Sequence, residues 1–216
     1  MLKQKNLFLN SEGNKYFNRN KKKLDFINYE NDPISIKVKK LIGQSKKFNI
    51  LEVGCGDGKR LKYLKKQFSK SNFYGIDPSS KAISNPKNVK LKKGTADKLP
   101  FRDNKFDIVI FGFCLYLCDD NDLFKICDET FRVSKENSWI IILDFYSENL
   151  YYKKYKHNKK ILARKMNYAN LFSWHPNIDI ESQAIMSHED NNKWTDNSDN
   201  KISISCLRKS RHRNIK

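Results

Sequence analysis

Two carboxylates and a glycine-rich turn carry the chemistry most legible in this chain. Glu52 stands two residues before the first glycine of Asn49-Ile50-Leu51-Glu52-Val53-Gly54-Cys55-Gly56-Asp57-Gly58. Gly54, Gly56 and Gly58 let the backbone turn sharply and come close to a ligand where a side chain would intrude. A carboxylate at that place repels a pyrophosphate and attracts a cation. Asp77 closes Phe73-Tyr74-Gly75-Ile76-Asp77. It lies about 20 residues beyond the glycines, the offset at which a carboxylate can take both hydroxyls of a ribose. Asp77-Pro78-Ser79 also reads as a helix start, so capping is the alternative role for Asp77.

These residues need a strand, a turn and a helix to hold them. Ile50, Leu51 and Val53 form a short apolar run suited to a strand buried on both faces. Leu61, Leu64 and Phe68, three and four residues apart with lysines between them, predict an amphipathic helix after the turn. A ligand pocket at that helix N-terminus follows. The glycines run G-x-G-x-G with Lys59 where a dinucleotide fingerprint has its third glycine, which disfavours NAD and FAD. No G-x-x-x-x-G-K-[ST] pattern is present, which disfavours a nucleoside triphosphate. S-adenosylmethionine, with an ammonium group beside a sulfonium, fits an acidic strand end.

Further strands are expected at Val89–Leu91, Phe106–Phe111 and Trp139–Phe145. In order, E-x-G-x-G-x-G, G-x-D, A-x-x-L-P-F and F-D-x-V between Asn49 and Ser147 resemble the class I methyltransferases that use S-adenosylmethionine, especially their small-molecule branch. The resemblance implies a Rossmann-like α/β sandwich. Its seven-stranded, mostly parallel sheet runs in the order 3-2-1-4-5-7-6, with an antiparallel closing strand and helices on both faces. It further implies a cofactor set of Glu52, Gly54, Cys55, Gly56, Gly58, Asp77 and Pro78. Asp97 is implied to accept from the adenine amino group and Ala96 to offer a backbone N–H, while Phe113 and Cys114 lie beside the cofactor. Lys135-Glu136-Asn137-Ser138 stands where the family usually has Pro-Gly-Gly. Glu12-Gly13-Asn14-Lys15-Tyr16-Phe17-Asn18-Arg19-Asn20 resembles, more loosely, methylases associated with bacterial surface sugars, including pseudaminic acid.

The organisation expected is a lid or leader over residues 1–45, a methyltransferase domain over 46–208 and a basic tail over 209–216, with a substrate-facing insertion at 149–176. In the lid reading Arg19 clamps the methionine carboxylate and Tyr16 covers the sulfonium as a cation–π face. The alternative is a solvated leader. Pro33 can start a helix running from Ile34 to Leu41. Asp119-Asp120-Asn121-Asp122 offers N-cap candidates for a helix through Leu123 and Phe131, and consecutive acids there complement the helix dipole, so no metal is expected.

With 216 residues the chain can bury one good core. It has no apolar run approaching the ~20 residues a membrane span needs. Its N-terminus lacks an export h-region, and five cysteines without a C-x-x-C pair fit a reducing, cytoplasmic setting. The net charge of +19 raises a nucleic-acid partner. The lysines are nevertheless scattered and accompanied by many asparagines, the residue mix of an A·T-rich coding sequence, and the [DNS]-P-P-[YFW] signature of base-amine methylation is absent.

Tyr151-Tyr152-Lys153-Lys154-Tyr155-Lys156-His157 is aromatic and basic at once and could face an anionic sugar. His157 and His175 are the candidate general bases. Ile178–Met186 and Ile202–Leu207 alternate as a closing hairpin. The leading expectation is methyl transfer to an oxygen or nitrogen of a small molecule, with a sugar or nucleotide sugar of surface polysaccharide as acceptor. A tRNA or rRNA methyltransferase and a non-catalytic cofactor-binding partner protein are the alternatives.

Overall fold

A computed structural model of the chain describes residues 3–43, 46–191 and 193–210. The first half alternates strand and crossover. Asn49–Val53 (β1), Asn72–Asp77 (β2), Lys90–Lys93 (β3), Phe106–Gly112 (β4) and Ser134–Phe145 (β5) lie parallel. A two-stranded ribbon follows, Tyr151–Lys154 (β6) with Leu162–Lys165 (β7). Ile178–Ser187 (β8) and Lys201–Lys209 (β9) complete the main sheet, whose order is β3-β2-β1-β4-β5-β9-β8. Only β9 runs against its neighbours, pairing antiparallel with both β5 and β8. Counted among sheet strands alone this is 3-2-1-4-5-7-6, as the motif order implies.

The central strands are buried on both faces, hence their continuous apolar runs. One face packs Leu51, Val53, Val109, Phe111 and Ile142 into a core with the helices Leu123–Val133 and Tyr168–Ser173. The other packs Ile50, Ile108, Ile110, Ile141 and Leu143 with the helices Pro33–Leu41 and Lys59–Gln67. Pro33 opens its helix as expected, and Asp32 caps it by accepting from the Ser35 N–H at 2.9 Å.

Lys135–Ser138, the segment that stands in place of Pro-Gly-Gly, interrupts rather than precedes β5. Phe106 pairs with Ser134 and Ile108 with Trp139, so the intervening residues bulge out, with Asn137 at φ +56°. The basic tail also begins later than expected. Lys209 ends β9 as a buried residue, its ammonium donating to the Phe131 and Ser134 carbonyls at 2.9 and 2.8 Å. Residues 211–216 lie outside the described residues.

The N-terminal segment is helical. Gln4–Leu7, a π turn at Phe8–Glu12 and Gly13–Asp25 follow one another without a break. The acids 119–122 tie this segment down and make no side-chain cap for the Leu123 helix. Asp119 accepts from the Gln4 and Lys5 backbone N–H groups at 2.8 and 2.9 Å, capping the first helix from across the chain. Asp122 pairs with the Lys5 ammonium at 2.8 Å, and Asp120 pairs with buried Arg164. Among the described residues no helix is long and apolar enough to cross a membrane.

Candidate functional site

In an open parallel sheet, the crevice outside the carboxyl ends of the strands is where a ligand is held. A cavity of about 800 Å³ occupies that edge here. From one side to the other it meets Ala96 and Asp97 after β3, Asp77 and Pro78 at the end of β2, and Gly54, Cys55 and Gly56 after β1. It continues to Phe113 and Cys114 after β4, Phe145 on β5, and Ile202 with His188 at the closing hairpin. Phe8, Gly13, Tyr16 and Phe17 of the N-terminal helical segment form the opposite wall.

The turn after β1 requires its glycines. Gly54 sits at φ +72°, and a Cβ there would stand 2.9 Å from the Cys114 Cβ. Gly58 sits at φ +70° as the N-cap of the Lys59–Gln67 helix, and a Cβ would press on Leu91 at 3.2 Å. Gly58 therefore shapes the turn and packs against β3, while Gly54 and Gly56 border the cavity.

Glu52 is buried at 2% exposure. Its Oε1 is ion-paired with Arg60, which also reaches Asp32 through Nε at 2.9 Å and Nη2 at 3.2 Å. The other oxygen, Oε2, is buried and has no hydrogen-bond partner among the described residues, and the residue lines the cavity. Burial pushes this carboxyl up to about 7, with Asp32 adding to the rise and Arg60 opposing it. Asp77 accepts from the Gly56 N–H on one oxygen and the Ser79 N–H on the other, each at 2.8 Å. This carboxylate holds the glycine turn and the Ser79 turn together; the helix expected to start at Ser79 is a single 3-10 turn at Ala82–Ser84. Burial lifts the Asp77 carboxyl to about 6 against those two hydrogen bonds.

Sequence pattern does not mark Asp144, which ends an apolar run, as a site residue. It is 1% exposed and accepts from the Phe145 and Leu115 N–H groups at 2.8 Å, with Cys114 and Tyr116 at 3.1 and 3.4 Å. Burial raises it to about 7 even so. This carboxylate fixes the loop after β4 and with it the backbone of Phe113. That residue sits at φ +51°, an uncommon conformation for a bulky side chain, with its N–H on the Leu143 carbonyl at 2.8 Å.

The residues expected to clamp the cofactor from the N-terminal segment divide. Tyr16 lines the cavity, half-buried, with its hydroxyl 3.5 Å from that of Tyr116. Arg19 does not line it. Its guanidinium is held by buried Glu12 at 2.6 Å and by the Tyr155 hydroxyl at 3.2 Å, so it joins the helix to the 151–165 ribbon. Asp97 is paired with Lys5 of the same segment.

The histidines divide as well. His157 lies on the cavity rim beside Tyr155, ring centroids 5.5 Å apart. His175 does not line the cavity; it stacks on Phe131 at 4.0 Å and its Nδ1 accepts from the Asn177 N–H. His188 lies in the wall, 5.3 Å from both the Phe113 and Phe145 rings. Sequence reasoning missed it because nothing around Ser187-His188-Glu189 marks it; only the hairpin's return to the sheet edge brings it there.

The profile of the methyltransferase domain family matches residues 51–142, the segment that builds the glycine turn, Asp77, Asp97 and Phe113. That segment is a methyltransferase domain, and the sheet around it has the fold of the class I S-adenosylmethionine-dependent methyltransferases. The chain is 33% identical over 105 residues to a demethylmenaquinone methyltransferase of Lactobacillus johnsonii, a match covering 44% of this chain and 42% of that one. It is 31% identical over 101 residues to a fatty-acid O-methyltransferase of Mycolicibacterium smegmatis, covering 44% and 36%. The matched region thus spans under half the length of either relative. Among solved structures, a Methanosarcina mazei S-adenosylmethionine-dependent methyltransferase superposes with TM-score 0.63 at 18% identity, over 82% of this chain and 97% of that one. The Burkholderia thailandensis 1,6-didemethyltoxoflavin-N1-methyltransferase, with its substrate and S-adenosylhomocysteine bound, gives 0.72 at 12% identity over 95% and 88%. At such identities the likeness establishes the fold of the methyltransferase domain.

Proposed function

We propose that this protein transfers a methyl group from S-adenosylmethionine to an oxygen or nitrogen of a small-molecule acceptor. The observation that carries the reading is the bare, buried Oε2 of Glu52 at the glycine turn, an acceptor already desolvated and still without a donor. An unsatisfied buried carboxylate oxygen is costly, and an ammonium group would relieve it. The residues present therefore fit the cofactor. Glu52 would take the ammonium, Asp77 the ribose hydroxyls, and the Ala96–Asp97 segment the adenine once Lys5 has moved from the Asp97 carboxylate. Tyr16 would cover the ligand from the opposite wall.

When bound, the cofactor supplies a methyl group on positively charged sulfur, a leaving group that needs no further activation. What the chain must add is position. The loop fixed by Asp144 and the wall formed by the N-terminal helix hold two reactants in one enclosed crevice, and orientation of this kind can contribute up to ~7–11 kcal/mol.

Both relatives carry a small-molecule acceptor in their names, which supports that class. For the sugar or nucleotide sugar suggested by the sequence, support is confined to Lys156 and His157 on the rim, because Lys153 is engaged with Asp199. The test is incubation with methyl-labelled S-adenosylmethionine and fractionated cell extract. Label in the small-molecule fraction is expected, and label only in RNA, DNA or protein would contradict the reading.

A further inference from the structure

We propose that the end of the cavity lined by Phe113, Phe145 and His188 is the acceptor subsite, that it takes a flat aromatic hydroxyl compound of the phenol or naphthol type packed against these rings, and that the His188 imidazole receives the hydroxyl proton. This rests on the methyl-transfer reading and adds to it a substrate class and a base.

Position comes first. The cofactor candidates Ala96, Asp97, Asp77 and Glu52 follow β3, β2 and β1, so they occupy one side of the crevice. Phe113, Phe145 and His188 belong to β4, β5 and the closing hairpin on the other side. A ligand lying over the first group leaves the second for its reaction partner.

The walls there are aromatic and half-buried. Phe113 and Phe145 meet at 5.5 Å and Tyr116 lies 5.0 Å from Phe145, separations at which rings attract edge to face. Leu143 and Ile202 complete an apolar lining. Such a surface gains by covering a flat apolar ring and offers little to a polyhydroxylated sugar. The left-handed backbone of Phe113, held by Asp144, aims its ring into this space at a conformational cost, and strain of that kind concentrates at ligand-contacting positions.

His188 supplies the polar element. Its backbone is fixed by donation to the Asn200 carbonyl at 2.8 Å. Among the described residues neither ring nitrogen has a hydrogen-bond partner, so the imidazole is open to the cavity. The charged groups around it are Lys165 on β7, Lys23 on the N-terminal helix and its neighbour Glu189, while β4 and β5 present the rings of Phe113 and Phe145. Removal of water and the Lys165 and Lys23 ammonium groups hold it below the ordinary histidine value, against Glu189, so it is neutral near pH 7. In the reaction the hydroxyl oxygen forms the bond to the methyl carbon and the carbon–sulfur bond breaks with its electron pair left on sulfur. The hydroxyl proton passes to the imidazole and then to solvent.

The test uses the full chain, 1-naphthol and methyl glucoside as probe acceptors, and His188→Gln and Phe145→Leu variants. Histidine-ring NMR of the wild type with S-adenosylhomocysteine should show one imidazole, missing in His188→Gln, that titrates below pH 6.5 and moves when 1-naphthol is added. With S-adenosylmethionine, 1-naphthol should be methylated in preference to methyl glucoside. His188→Gln should lower kcat about 100-fold at pH 7 and abolish the acidic limb of its pH profile. Phe145→Leu should raise KM more than it lowers kcat. A resonance indifferent to 1-naphthol, an unchanged kcat in a folded His188→Gln protein, or preference for the glucoside would overturn the proposal. Failure of S-adenosylhomocysteine to bind would overturn the methyl-transfer reading itself, whereas its binding without any response to 1-naphthol would overturn only this one.

Discussion

Glu52 shares one carboxylate between a permanent partner and a candidate ligand. Arg60 already holds Oε1, and a cation entering the crevice would meet Oε2. Because burial raises this carboxyl to about 7, a cationic ligand must expel a proton below that pH and need not above it. Affinity for S-adenosylhomocysteine should therefore rise with pH, by at most ~10-fold per unit, and level off above about pH 7, as read by calorimetry across buffers. Glu52→Gln should weaken binding by about 10–100-fold above pH 7, the worth of a charged hydrogen bond, and flatten the profile. Asp144 acts instead on the backbone. Asp144→Ala leaves four N–H groups without their acceptor, at about 1–3 kcal/mol for each that stays dry, so chemical denaturation should show a loss of several kcal/mol. Glu52 was legible from its place before the glycines. Asp144 was not, because three of its four donors, Cys114, Leu115 and Tyr116, lie about thirty positions earlier in the chain and only the β4–β5 pairing brings them to it.

Among the elements, the N-terminal helix shows how far local pattern reaches. Phe8, Tyr16 and Leu24 stand eight residues apart, with Gly13 and Phe17 on the same face, and all five line the cavity. That stripe was present in the sequence, but it is interrupted by asparagine and lysine, and the segment's partners are acids more than a hundred residues away. Arg19 was readable as a guanidinium and not as the partner of Glu12, because seven residues is two turns of the Gly13–Asp25 helix, beyond the three- and four-residue spacing at which helical ion pairs are read. Arg19→Met would leave buried Glu12 without its cation, at a cost on the order of 2 kcal/mol in a partly exposed pair. The expected readout is faster amide exchange across Gly13–Asp25, with the sheet unchanged. The glycine turn gives an independent check. Gly58→Ala places a side chain in the left-handed region against Leu91 and should cost about 1–2 kcal/mol, lowering Tm by roughly 2–8 °C.

For the whole molecule, the sheet order was legible because each central strand is a continuous apolar run bounded by turn residues, and ordered motifs fixed the sequence of crossovers. The closing hairpin was legible as strands, but its consequence, His188 in the cavity wall, depends on a register that pattern cannot supply. The net charge of +19 is spread over the surface and partly engaged, as in Lys135–Asp107 and Lys59–Asp25. Binding to a short DNA duplex should accordingly be no tighter than the ~10⁻⁴–10⁻⁶ M of non-specific association at physiological salt, as measured by fluorescence anisotropy. The central claim is that the crevice bordered by Glu52, Asp77 and Asp97 holds S-adenosylmethionine. Calorimetric titration of the full chain with S-adenosylhomocysteine tests it most directly: the account requires saturable heat at one site per chain, weakened by Glu52→Gln. Absence of heat from the folded wild-type protein, or an isotherm indifferent to that substitution, would contradict it.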